Sequence, residues 1–460
     1  MKQKPPVKAE EEIKLAITGF GNHGTGVGKY KDFAVFVPQA IPGEQVSVKI
    51  NQVKKTYATG QLIQVLKPSP TRVKPACSIF AKCGGCQLQH IDYSAQLNLK
   101  RQSVIDAFER IAGISDVIVQ PVKGMQEPWA YRNKVQVPIS VDRGKLIAGF
   151  YEAGSHRIVP LEHCLIQPEE SNVIFHTIQK LIKEANIPPY NEQKHAGLLR
   201  HVMIRRGTYS GEWMVVFVVN GKHLPNEDKL ISHLTNDLPQ VTSIILNENR
   251  KRTNVILGAD NRVLYGEETI HDQIDDLTFS ISPHSFFQVN PVQTEILYKQ
   301  TREYAGLTGS EVVIDAYCGA GTISLYLARY ARKVYGVEMV PAAIADAKRN
   351  AMLNHIDQVE FVCGKAEKVM GKWFDKGVEP DIIVVDPPRK GCDPALLHAA
   401  SKMKPKRFIY VSCNPATLAR DVALLTKLGF TLQEVQPIDM FPHTSHIETV
   451  CLMSRTENMK

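Results

Sequence analysis

Three regimes of hydrophobic patterning divide the chain. Over 13–66, short β-rich runs (Ile13–Thr18, Ala34–Val37, Gln45–Asn51, Tyr57–Val65) alternate with breaks at Gly19-Phe20-Gly21, Gly24-Thr25-Gly26 and Ile41-Pro42-Gly43-Glu44. Short strands joined by glycine turns predict a small closed barrel of OB type, whose groove suits single-stranded nucleic acid. Pro68, Pro70 and Pro75 mark its end. A helix is predicted over 93–112, where Leu97, Val104, Ile105 and Phe108 recur at three- and four-residue steps. From about 129 to 280 the pattern is mixed. Strand-like runs (Lys134–Ile139, Lys145–Tyr151, His201–Arg205, Trp213–Val219, Ser243–Leu246) alternate with helical ones (Ser171–Ala185, Asp228–Asn236), and Gly258 to Gly266 reads as a turn-rich insert.

From 291 the alternation becomes regular. Helices are predicted at Val292–Tyr304, Ile323–Ala331, Pro341–Asn354, Pro394–Met403 and Pro415–Leu428. Strands are predicted at Glu311–Ala316, Lys333–Glu338, Val359–Cys363, Ile382–Val385, Arg407–Ser412 and Thr449–Met453. Apolar strand followed by amphipathic helix, repeated, is the signature of a doubly wound, mostly parallel sheet.

Composition narrows the class. At 460 residues the chain has length for about three domains and needs no disulfide staples. No apolar run reaches the roughly 18 residues of a membrane span, and no apolar segment follows the early lysines as a signal peptide requires. Collagen, mucin, coiled-coil and knottin classes are excluded. Residues 1–75 hold 12 Lys/Arg and 5 Asp/Glu, which is +7 of the net +8. A basic attachment on a neutral body points to a polyanion such as RNA. The first ten residues have no packing pattern and are expected to lack order. Nine cysteines with no export signal indicate a reducing compartment, the cytoplasm.

Candidate chemistry gathers at strand ends. Val312 to Thr322 is an apolar strand, an acid (Asp315), then a turn with Gly319 and Gly321 opening a helix; such glycines let backbone approach a ligand. The next strand ends at Glu338, suited to a ribose diol, and the fourth at Asp386 of Asp386-Pro387-Pro388-Arg389. Capping of helices would explain one of these acids but not all three. The pattern resembles the class I S-adenosylmethionine methyltransferases. Cys413, in Ser412-Cys413-Asn414-Pro415, follows a strand and precedes a helix, where a thiol pKa is expected to fall. A methyltransferase wants a thiolate when its target carbon is a poor nucleophile. Addition to C6 of uracil makes C5 enolate-like, and a base then removes the C5 proton. Glu448, beside His443 and His446, is the candidate base.

The segments 386–391, 412–415 and 446–450 together resemble the RNA (uracil-5-)-methyltransferase family over 284–453. That resemblance implies Cys413 as nucleophile and Glu448 as base. It assigns Gln288, Tyr317, Glu338 and Asp386 to the methyl donor, alongside Gly319, Gly321 and Thr322 of the turn. It assigns Phe286 to stacking on a flipped uracil, although an aromatic there also reads as core. Lys365 stands where such folds often carry an acid near the adenine, which leaves that contact unassigned.

Cys77, Cys83 and Cys86, with Cys164 far along the chain, suit zinc or iron–sulfur, and the uneven spacing favours iron–sulfur. With Gly84, Gly85, Gln89 and His90 they resemble the 23S ribosomal-RNA branch of the family, which carries a [4Fe-4S] cluster. The implied architecture is multidomain. It comprises a TRAM-like β-barrel at 8–70, a central α+β iron–sulfur domain at 71–92 and 126–283, and a C-terminal α/β Rossmann-like methyltransferase at 93–125 and 284–455. Arg132 and Lys134 are candidate phosphate contacts. The expected substrate is a loop or single-stranded uridine of 23S rRNA. The barrel and the cysteines are expected to separate this branch from the transfer-RNA branch. A non-catalytic RNA-binding assembly factor is the rival from another class, against which Cys413 and Glu448 speak.

Overall fold

The computed structural model describes residues 5–142 and 145–455. Residues 1–4 of the terminus expected to lack order lie outside the described residues. The remainder of that segment is packed: Val7 is buried in the barrel core and the Glu10 N–H donates to the Ile50 carbonyl at 2.8 Å.

The barrel is built of β1 (Glu12–Gly21), β2 (Thr25–Tyr30), β3 (Phe33–Pro38), β4 (Gln45–Val53) and β5 (Tyr57–Lys67), closed in the order β1-β2-β3-β5-β4. Alternation puts Ile13, Leu15 and Ile17 inside against Val46, Val48 and Ile50. The Gly24-Thr25-Gly26 break of the sequence reading opens β2. Glycine is needed there for close approach, since a Cβ on Gly28 would sit 2.4 Å from the Ala16 carbonyl oxygen.

Helix α1 (Tyr93–Ala107) leaves the barrel and joins the C-terminal domain. Val104, Phe108 and Val119 share a core with Leu418 and Val422, and residues 119–123 pair along one edge of that domain's sheet, at Val435 and Ile438. The central sheet contains β6 (Lys134–Asp142), β7 (Lys145–Tyr151), β8 (Ile158–Pro160), β9 (Leu199–Arg206), β10 (Trp213–Val219), β11 (Val241–Glu248) and β12 (Asp260–Gly266), in the order β12-β11-β10-β9-β6-β7-β8. Helices α2 (Glu169–Glu184) and α3 (Glu227–Asp237) pack on it through Ile174, Ile178 and Leu234. The expected insert at 258–266 is largely β12, an edge strand with most side chains exposed and hence no alternating signal. A hairpin of β13 (Ile270–Ile274) and β14 (Leu277–Ile281) leads out of this region.

The C-terminal sheet follows the predicted alternation. After α4 (Pro291–Ala305) come β15 (Val312–Ala316), α5 (Thr322–Ala328), β16 (Lys333–Glu338), α6 (Pro341–Leu353), β17 (Val359–Cys363), α7 (Ala366–Asp375) and β18 (Ile382–Val385). They are followed by α8 (Pro394–Lys402), β19 (Arg407–Ser412), α9 (Pro415–Lys427), β20 (Phe430–Ile438) and β21 (Glu448–Arg455). The strand order is β17-β16-β15-β18-β19-β21-β20, with β21 antiparallel to both neighbours. The sequence reading omits α7 and β20. β20 has a register shift between Leu432 and Glu434, which breaks the two-residue period.

Candidate active site

The carboxyl ends of β15, β16 and β18 hold Asp315, Glu338 and Asp386 on one edge of the sheet, where open α/β sheets take ligands. Asp315 is fully buried. One oxygen accepts from Ser324 Oγ at 2.5 Å, and Oδ1 has no protein partner. Burial, reinforced by the charges of Asp386 and Glu338, pushes its pKa up to about 7. Glu338 Oε1 accepts from the Met339 and Val340 N–H groups at 2.7 and 3.0 Å, beside the exposed side chains of both. A fixed carboxylate with an apolar rim matches a nucleoside, which offers a diol and a flat base. The intervening turn is strained for this purpose: Tyr317 has φ +66°. Gly321 (φ +79°) could carry no side chain, since a Cβ would fall 2.7 Å from the Phe361 ring. Gly319 (φ +54°) faces open space. The Thr322 hydroxyl is engaged with Tyr298 Oη at 2.7 Å, and Gln288 is buried with its carbonyl held by Asn133 Nδ2 at 3.0 Å. Lys365 is exposed at the start of α7.

Cys413 leaves β19 and Glu448 enters β21. Asn414 caps α9 through the Ala416 N–H and reaches the Arg389 carbonyl with Nδ2 at 3.1 Å, so the 386–391 loop and the 412–415 turn are tied together. The expected fall in the Cys413 pKa is reversed. Burial, then the charges of Glu448 and Asp386, push the thiol up to about 11, against a smaller opposing effect of Arg389. A helix N-terminus does not outweigh two nearby carboxylates in a half-buried site. Glu448 is itself buried and held well above the usual carboxylate range by burial and by Asp386.

Phe286 is 66% exposed, whereas Phe287 beside it is core. This decides against Phe286 as packing. His443 is a hydrogen-bonding residue of the loop before Glu448, and His446 Nε2 lies 3.4 Å from Arg389 Nη2. Arg389 has no role in the sequence reading. Its signal was available as the first of two cations, with Lys390, in an acid-bearing motif.

Cys77, Cys83, Cys86 and Cys164 line a single cavity of about 330 Å³. Among the described residues, no three metal-ligating side chains converge on one point as ligands of a single ion would. The Gly85 N–H lies 3.4 Å from Cys83 Sγ. Gly84 is required by close approach to the Tyr151 carbonyl, 2.9 Å from where a Cβ would sit. Arg132 and Lys134 stand in the wall of this cavity rather than at a solvated strand end. Burial lowers the Lys134 pKa to about 8.

A closed N-terminal barrel joined to a seven-stranded sheet of this order, with acids at three strand ends, defines an RNA-directed methyltransferase that uses S-adenosylmethionine. The chain belongs to the RNA (uracil-5-)-methyltransferase family: it matches the tRNA (uracil-5-)-methyltransferase family over residues 92–456 and the TRAM domain over residues 6–63. It is 52% identical over 99% of its length to an uncharacterised RNA methyltransferase of Bacillus cereus, 99% of which is covered. It is 45% identical to a Staphylococcus aureus one, over 97% of this chain and 99% of that one. The crystal structure of Pyrococcus abyssi tRNA (uracil-54, C5)-methyltransferase in complex with S-adenosyl-L-homocysteine is similar at TM-score 0.77 and 32% identity, covering 96% of this chain and 99% of that one. A tRNA enzyme thus shares nearly the whole architecture, and the barrel does not separate ribosomal from transfer RNA as expected from sequence.

Proposed function

We propose that the chain methylates C5 of one or two uridines in 23S rRNA, with Cys413 as nucleophile and Glu448 as base. The observation that carries the reading is the meeting of these two side chains at adjacent strand ends, next to Asp386. The Cys413 thiol gives up its proton to solvent, the thiolate adds through Sγ to C6 of an extruded uridine, and the electron pair passes to C5 as an enolate that takes the methyl group. S-adenosylmethionine supplies the electrophilic methyl group. Glu448 then takes the C5 proton, the C5–C6 double bond re-forms, the C6–S bond breaks and the thiolate is regenerated. Gln288, Tyr317, Gly319, Gly321, Thr322, Glu338 and Asp386 form the donor site, and Phe286 stacks on the base.

The domains are proposed at the boundaries given above, in a cytoplasmic protein. Cys77, Cys83, Cys86 and Cys164 would hold a [4Fe-4S] cluster. Methyl transfer moves no net electrons, so its role is structural. Arg132 and Lys134 offset thiolate charge in that cavity and are proposed as phosphate contacts at its edge. Anaerobic protein with about four irons per chain supports this, and stoichiometric zinc overturns it.

The experiment is to mix the protein with S-adenosylmethionine and RNA bearing 5-fluorouridine, whose fluorine cannot leave as a proton. A covalent adduct is expected with the parent and none with Cys413→Ala. The Pyrococcus enzyme favours a second reading, a tRNA uridine substrate. Parallel assays on unmodified 23S rRNA fragments and tRNA decide between them.

A further inference from the structure

Two hydrogen-bonded segments that lie far apart in the chain meet at His443. The Gln87 and Leu88 N–H groups both donate to the His443 carbonyl, at 3.0 and 2.9 Å. The Ser445 N–H donates to Gln87 Oε1 at 3.2 Å, and Gln87 Nε2 donates to the Gly84 carbonyl at 2.8 Å. Gln87 therefore ties the cysteine turn (Cys83–Cys86) to the loop that ends at Glu448. His443 is the keystone. It is buried, has φ +65°, and its ring stacks on Trp129 with centroids 3.7 Å apart. Its ring and N–H are also held by Gln96, at 3.2 Å each. A non-glycine residue in the left-handed region persists only where its surroundings over-determine it.

We infer that Gln87 is a positioning residue for the general base: the cysteine turn acts, through Gln87, as a strap that sets where β21 begins and so where the Glu448 carboxyl stands. The inference rests on the reading of Glu448 as base, and it uses contacts between protein segments whatever metal the cysteines hold. Deprotonation at C5 must precede cleavage of the C6–S bond, so a displaced Glu448 stalls the enzyme after methyl transfer, with RNA still bonded to Cys413. Small displacements of a catalytic group are enough for losses of ten- to about a hundredfold.

Gln87→Met keeps the shape and removes both side-chain hydrogen bonds. Gln87→Glu keeps the acceptor for Ser445. The full chain is compared for metal content, KM, kcat, trapped adduct on ordinary uridine RNA, and amide hydrogen exchange over 441–446. The Met variant is expected to keep its metal and KM, to lose roughly tenfold or more in kcat with adduct accumulating, and to exchange faster over 441–446. The Glu variant is expected to recover most of the rate. Parent-like exchange and kcat in Gln87→Met would overturn the strap, as would lost activity with raised KM and no adduct. Hydrogen exchange needs no RNA and reads the strap even if Cys413→Ala stays active, an outcome that would sink the mechanism alone.

Discussion

Ser412 at the end of β19 pairs with Thr449 of β21, which places Cys413 just beyond that pair on one strand and Glu448 just beyond it on the other. Antiparallel neighbours at that position face each other closely, so the thiol and the carboxyl share one electrostatic environment. Each ionised form opposes the other, and burial opposes both. In the RNA-free protein both groups are therefore pushed toward their protonated forms.

Replacing Glu448 by Gln removes one of the charges that raise the thiol while abolishing the base. The midpoint for alkylation of Cys413 by iodoacetamide is expected to fall from about 11. Methyl transfer to ordinary uridine RNA is expected to halt at the covalent adduct, with turnover down about 10²- to 10⁴-fold. An unchanged alkylation midpoint would show that Glu448 does not face the thiol.

Asp315 gives a stability signature. Its folded pKa lies above its usual value, so the folded state holds a proton that the unfolded chain releases. Stability from this group is complete below about 3.8 and is lost as pH rises through about 7. Burying the charge then costs on the order of 4 kcal/mol. Asp315→Asn is expected to match the parent near pH 4 and to be progressively more stable up to pH 8 in urea unfolding. The buried His90 and His443 and the half-buried His201 and His446, each lowered to about 4, have the opposite sign, and comparing the variant with the parent cancels them. A constant difference across pH would contradict the assignment.

Strands buried on both faces, such as Lys333–Glu338 and Ile382–Val385, were legible to the residue because apolar runs bounded by breaks have few other readings. β12 and β20 were not, because edge position and a register shift remove the period. Cys413 and Glu448 were legible as motif members, yet the direction of the thiol shift was not. It depends on carboxylates brought together from β18 and β21, some sixty residues apart in sequence. The contact between Gln87 and Ser445 is invisible to any local pattern for the same reason.

Phe286 and Phe287 differ in exposure, so the proposed stacking role of Phe286 can be tested apart from folding. Phe286→Ala is expected to leave stability within about 0.5 kcal/mol while weakening RNA binding by about 1–3 kcal/mol, the loss of one stacked base. Phe287→Ala is expected to cost about 3–5 kcal/mol in stability. Thermal melts and RNA titrations on both variants check the contrast, and equal RNA affinity of Phe286→Ala and the parent would remove Phe286 from the substrate site.

Lys100 and Asp439 form an ion pair at 2.5 Å with side chains 2% and 0% exposed, so α1 grips the start of the loop that leads to Glu448. Tyr93 Oη also donates to Asp439 at 2.9 Å, and Lys100 Nζ reaches the Phe441 carbonyl at 3.1 Å. Removing one member of such a pair strands the other charge away from water, at a cost of about 3–5 kcal/mol. Lys100→Met is expected to lose that much in urea unfolding. Lys100→Met combined with Asp439→Asn leaves no stranded charge and is expected to be more stable than Lys100→Met alone, which a double-mutant cycle reads directly. Additive losses would mean that the two side chains do not stabilise each other, and that α1 holds the loop through Tyr93 and Gln96 instead.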